Sequence, residues 1–185
     1  MKNLQSRASG GRKNLKTKVL AALVCIIAIF LVWANLPSPE LPNGTRADMV
    51  LVTKSERHLV LLQRGKPVKA YRVALGRNPV GHKEREGDGR TPEGLYRIDF
   101  HKTDSAFHRS LHISYPNPRD IEIARSRGID PGGAIMIHGI RNGLRWIGKL
   151  HGLVDWTAGC IAVTNREIEE LWLGVPDGTP IEIRP

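Results

Sequence analysis

Residues 19–36 form a run of eighteen positions without a single charge, apolar on every helical face. A surface helix of a globular protein would carry a polar stripe, so this segment is expected either to cross a membrane or to act as a secretory signal. Residues 1–18 lead into it with Lys2, Arg7, Arg12, Lys13, Lys16 and Lys18 and no acid. A basic lead of this kind stays on the cytoplasmic side, which puts the rest of the chain outside. Val32-Trp33-Ala34 offers a small-residue cleavage site, so retention as an anchor and removal as a signal both remain open. Residues 37–47, with Pro37, Pro39, Pro42 and Gly44, read as an extended linker.

From Asp48 the pattern changes to strands. Residues 49–52 and 58–62 are apolar, β-branched segments, residues 68–75 mostly alternate apolar with charged positions, and polar turns at 54–57 and 63–66 separate the three. Three such segments in succession predict an antiparallel sheet. Residues 94–100, 110–114, 134–138 and 180–183 are further strands. Asn117-Pro118-Arg119-Asp120 supplies a cap, a first-position proline and a first-turn acid for a short helix ending at Gly128. Thr164 and Glu167 form a capping box opening a helix over 166–173, with Ile168, Leu171 and Trp172 inward. The fold expected is therefore mainly β with short helices, in the α+β class, over residues 48–185.

Composition changes this picture little. The formal charge of +10 invites a nucleic-acid reading, but six of the 28 basic residues precede Val19, leaving 22 against 18 acids. That is an ordinary surface, and no nucleic-acid partner is expected. Residues 76–81 have the glycine spacing of a phosphate loop, but His82 stands where the lysine must be, so nucleotide binding is not expected either. The long Gly-rich stretch 76–94 is instead expected to face a substrate.

Cysteine usage is more telling. Outside the apolar run, with its Cys25, the chain has one cysteine, Cys160, which leaves an exported domain no internal disulfide partner. Cys160 follows Thr157-Ala158-Gly159, and two histidines, His138 and His151, precede it, each followed by glycine. A thiol with an imidazole brought to it by the fold is a nucleophile and base. In residues 134–138, Ile135 and Ile137 point one way and Met136 and His138 the other, so His138 ends a strand. It is preferred as the base over His151, whose surroundings at 149–154 read as a loop. Backbone N–H groups of Gly159 and Cys160 are expected to receive an oxyanion, with bare Gly159 letting substrate approach.

The Ile137-His138-Gly139 strand end, the gap of some twenty residues and the Thr157-Ala158-Gly159-Cys160-Ile161 segment resemble the L,D-transpeptidase catalytic, or YkuD, domain. The resemblance takes in the loop from Gly87 to Gly94 and covers roughly residues 48–184. It implies a YkuD-like β-sandwich, with Cys160 as nucleophile, His138 as proton donor and acceptor, and the Gly139 backbone orienting that histidine. It further implies action on peptidoglycan stem peptides, without metal or cofactor, by a thioester passed to an amine. Ala158 and Ala162 depart from the family pattern, which commonly has histidine at the first and Arg or Asn at the second. Arg141, Arg145 or Lys149 would then hold a substrate carboxylate, while Trp156 and Thr157 wall the groove. Three other readings remain: a hydrolase using the same cysteine, a zinc hydrolase with His138, His151, Asp155 and Cys160 as ligands, and a wall-binding module without catalysis. Four ligands would leave a zinc ion no open position for water.

Overall fold

The computed structural model describes residues 5–185, with side chains described from residue 15 onward. Of the basic lead, residues 1–4 lie outside the described residues. The chain divides into two compact units, the first ending at Leu36 and the second running Pro37–Pro185. In the first, helix α1 spans Gln5–Asn35. Its segment Leu15–Asn35, of mean hydropathy 2.5, is long and apolar enough to cross a membrane.

The second unit is built on eight strands. β1 (Met49–Thr53), β2 (His58–Gln63) and β3 (Lys66–Arg72) pair antiparallel, as three successive short strands joined by polar turns predict. β4 (Gly94–Ser105), β5 (His108–Ile113), β6 (Met136–His138), β7 (Ile161–Ala162) and β8 (Pro180–Arg184) complete the order β3-β2-β1-β8-β4-β5-β6-β7. The sheet is mixed, because β1 runs parallel to β8 and β6 parallel to β7. β4 joins its two halves: residues 94–97 pair with β8, and the rest of the strand with β5.

The sheet curls back on itself. After Arg72 the chain leaves β2, and Ala74 exchanges two hydrogen bonds with Ala162 of β7, at 2.9 and 2.8 Å. The expected strand 68–75 is therefore one extended stretch serving two partners. Inward side chains from every strand meet in one core, including Val50, Leu61, Tyr71, Ile98, Leu111, Ile137, Ile161 and Ile183. This is the expected α+β sandwich, with the two halves of the sheet facing each other across one apolar layer.

Both expected helices form. α2 (Pro118–Ser126) is capped by Asn117, whose side chain accepts the Asp120 N–H. α3 (Asn165–Gly174) opens on the Thr164/Glu167 capping box and buries Ile168 and Leu171. Residues 37–47, expected as a linker, belong to the second unit: the Ala47 N–H donates to the Gly174 carbonyl at 2.7 Å, and Leu41 packs on the core. Lys54, expected in a polar turn, is buried. Its ammonium donates to the Gly81 and Thr91 carbonyls and to Glu93, at 2.6, 3.0 and 2.7 Å, tying the first hairpin to the Gly-rich loop.

Candidate active site

His138 ends β6, between β5 and β7. Its residue pairs with Ser110 on one side and Ala162 on the other, and its carbonyl accepts the Val163 N–H at 2.9 Å. The alternation places Ile135 and Ile137 in the core and leaves Met136 and His138 facing a cavity of about 780 Å³. Cys160 lines the same cavity, together with Phe107, Ser110, His151, Trp156 and Thr157.

The register relates thiol and imidazole. Ile161 lies opposite Ile137 in the parallel pair, so Cys160, one residue earlier, stands beside Met136 and two places from His138. Strand spacing of about 4.8 Å and a rise of about 3.3 Å per residue put their Cα atoms about 8 Å apart on one face. That separation lets the two side chains converge over the cavity.

His138 Nδ1 lies 2.7 Å from the Gly139 carbonyl oxygen. A carbonyl only accepts, so Nδ1 carries the proton and Nε2 is left as the basic nitrogen. Glycine at 139 is needed for space: a Cβ there would lie 2.9 Å from Asn165 Oδ1 and 3.0 Å from the Phe107 carbonyl oxygen. Phe107 covers the imidazole with ring centroids 4.4 Å apart, and Trp156 meets it edge-on at 5.7 Å. Burial pushes the His138 pKa down, and its bond to Gly139 only partly opposes this. Burial likewise pushes the Cys160 thiol up, against the Met136 backbone and the Lys83 charge. The thiol donates weakly to the Ala134 carbonyl, at 3.7 Å. Both shifts favour the neutral thiol and the neutral imidazole over an ion pair.

The turn before Cys160 is held from outside and from within. Asp155 accepts from the Arg57 guanidinium, at 2.8 and 3.2 Å, and from the Leu75 N–H at 2.9 Å. A carboxylate so engaged is not free to join His138, His151 and Cys160 as a zinc ligand. The Thr157 hydroxyl donates to the Cys160 carbonyl at 2.7 Å and accepts the Gly159 N–H at 3.1 Å. Thr157 thus lines the cavity while its hydroxyl staples the turn. Of the two expected oxyanion donors, the Gly159 N–H is used inside the turn, and the Cys160 N–H makes no hydrogen bond among the described residues.

Gly159 has a different reason from the one expected. Its φ is +136°, and a Cβ would sit 2.7 Å from the Arg90 carbonyl oxygen, so the space above it belongs to the Gly-rich loop and not to substrate. That loop is organised by Asp88. Burial works to raise its pKa, but the N–H groups of Arg90, Glu84 and Arg85 and the Lys83 ammonium overrule it and hold the carboxyl near about 2.

His151 also lines the cavity. Its segment, expected as a loop, is a 3-10 helix, Arg145–Leu153, kinked at Gly148, with Ile147 and Leu150 turned to the cavity. His151 is buried and its Nδ1 has no hydrogen-bond partner among the described residues, as is true of Trp156 Nε1. Burial, with a smaller push from His138, lowers its pKa to about 4. Of the expected cations, Arg141 lines the cavity, whereas Arg145 and Lys149 do not. Arg77 and Lys102 do, and neither carries a periodic or motif signal, since both arrive from distant segments.

The family model of the L,D-transpeptidase catalytic domain, YkuD, matches residues 47–183, nearly the whole of the second unit. The chain belongs to this family. Among curated proteins, this YkuD chain is similar to YafK of Escherichia coli (strain K12), itself named only as a candidate L,D-transpeptidase, with 30% identity over 106 residues. The match covers 56% of the chain but only 35% of YafK, so the chain spans about a third of that relative's length. In fold, the YkuD domain is similar to the helical cell shape determining protein Pgp2 of Campylobacter jejuni. The TM-score is 0.58 at 23% identity, covering 84% of this chain and 54% of that one. An L,D-transpeptidase of Mycobacterium tuberculosis matches at a TM-score of 0.50 and 13% identity, covering 74% of this chain and 57% of that one. At these identities the YkuD architecture is what is shared.

Proposed function

We propose that the chain is a cysteine acyltransferase of the L,D-transpeptidase type, acting on peptidoglycan stem peptides. The observation that carries this reading is that Cys160, just before β7, and His138, at the end of the neighbouring β6, line one cavity of a YkuD domain. Cys160 Sγ attacks the carbonyl carbon of the L-centre in an L–D bond while its proton passes to His138 Nε2. The carbonyl oxygen becomes an oxyanion, received by the Cys160 N–H, and by the Gly159 N–H once the Thr157 hydroxyl releases it. Collapse expels the amine, which takes the proton from His138, and leaves a thioester. An acceptor amine then attacks the thioester, giving its proton to His138, and the released sulfur recovers it.

The neutral resting pair fits this order. Because burial disfavours both thiolate and imidazolium, proton transfer accompanies attack on a bound carbonyl, and the idle thiol is protected from oxidation. Residues 19–36 serve in this reading as a membrane anchor or signal, with residues 48–185 working outside the cytoplasmic membrane, in the periplasm or at the wall. Phe107 and Trp156 wall the groove, and Arg141 is a substrate cation at its rim.

Product analysis with a tetrapeptide-bearing muropeptide tests the proposal. Crosslinked dimer, absent with Cys160→Ala and strongly reduced with His138→Ala, is the expected outcome. Released fragment alone would make the same site a hydrolase. Binding of wall material by wild type and Cys160→Ala alike, with no turnover, would leave a non-catalytic module.

A further inference from the structure

Arg77 lines two cavities at once. One is the groove that holds Cys160 and His138. The other, of about 760 Å³, lies in the Gly-rich loop and is lined by Arg85, Glu84, Asp88, Arg90 and Arg127 as well. The main chain at Arg77 is fixed. Its N–H donates to the Thr157 carbonyl at 3.0 Å, and the preceding Gly76 N–H donates to Thr91 Oγ1 at 3.0 Å. Gly76 lies so close to the cysteine turn that a Cβ there would fall 2.2 Å from the Gly89 carbonyl oxygen and 3.0 Å from Gly159 Cα. The side chain of Arg77 therefore leaves a rigid base placed directly against the residues that present Cys160.

Its guanidinium is free by comparison. In the loop cavity Glu84 is taken by Arg90 and Arg127, at 3.6 and 3.0 Å, and Asp88 by Lys83 at 3.0 Å. Arg77 and Arg85 have no carboxylate partner among the described residues, and both are exposed. The two acids that line this cavity are thus engaged by other cations, and Arg77 and Arg85 line it without a carboxylate partner. A guanidinium fork with no internal partner is matched by a carboxylate.

From this arrangement we propose that Arg77, assisted by Arg85, binds the free terminal carboxylate of the peptide, one residue beyond the scissile bond. The assignment rests on the reading of Cys160 as the atom at which that bond is cut. It makes the loop cavity the site of the leaving residue. The apolar groove between Phe107, Trp156 and the 3-10 helix then takes the acyl side.

The test uses the full chain in detergent with Cys160→Ala, which prevents turnover, and two probes: a stem tetrapeptide with a free terminal carboxylate and its terminal amide. Titration calorimetry should give about tenfold to a hundredfold tighter binding of the acid. The preference should shrink as salt rises, vanish in Arg77→Gln, and be partly kept in Arg77→Lys. Equal binding of acid and amide, or a preference undiminished by Arg77→Gln, overturns the proposal. Thioester formation on the Cys160 chain is read separately by mass. An adduct without a carboxylate preference leaves the acyltransferase reading standing and removes this site; a preference without an adduct does the reverse.

Discussion

His151 offers a sharp test, because its environment fixes both the sign and the pH window of its effect. Burial lowers its pKa from 6.5 to about 4, and the unfolded chain restores the ordinary value. A base whose folded pKa is depressed costs nothing above 6.5, where both states are neutral. As pH falls below 6.5 the unfolded state takes up a proton that the folded state refuses, so stability drops until about pH 4. At pH 4.5 the unfolded imidazole is almost fully protonated and the folded one about a quarter, a difference of about 2.5 kcal/mol. Asp88 adds almost nothing at pH 4.5, since the stability from its depressed pKa is lost only as pH falls below the ordinary value of 3.8 toward about 2. His138 is shifted downward too and adds in the same direction. In urea unfolding at pH 7 and pH 4.5, His151→Leu should reduce the stability lost on acidification by about 2.5 kcal/mol. An equal loss in wild type and variant would refute the claim that the fold holds His151 neutral.

Two further substitutions test the support of the cysteine turn. Gly159→Ala forces a Cβ to 2.7 Å from the Arg90 carbonyl oxygen at a φ of +136°; a loss of roughly 3 kcal/mol in unfolding free energy is expected, and near-wild-type stability would contradict that packing. Asp155→Ala leaves the Leu75 N–H and the Arg57 guanidinium without their acceptor; it should cost about 2 kcal/mol and raise the reactivity of Cys160 toward alkylating reagents, whereas unchanged labelling would mean that the turn holds without it.

Local features of the sequence carried through to the structure where the physics is local. The apolar runs at 49–52 and 58–62 marked β1 and β2 as strands, and the Asn117 and Thr164 caps placed two helix starts. The strand-end position of His138 followed from the opposite facing of Ile137. What escaped depends on distant partners. Lys54 looks like a turn lysine until Gly81, Thr91 and Glu93 close around its ammonium. Residues 37–47 have a linker's composition, yet Leu41 and Ala47 find a surface on α3 and β1–β2. The 3-10 helix around His151 is set by Gly148 and by the cavity that Ile147 and Leu150 cover, neither of which shows as a period. Arg77 sits in a glycine-rich stretch with no motif of its own, and only the bridge from Gly76 to Thr157 brings it to the thiol.

The proposed covalent intermediate on Cys160 is open to intact mass spectrometry after incubation with a stem-tetrapeptide muropeptide, followed by peptide mapping. An acyl adduct on the peptide containing Cys160 is expected, with no adduct in Cys160→Ala and slow adduct formation in His138→Ala. Turnover that survives Cys160→Ala, or an adduct on any other residue, would contradict it.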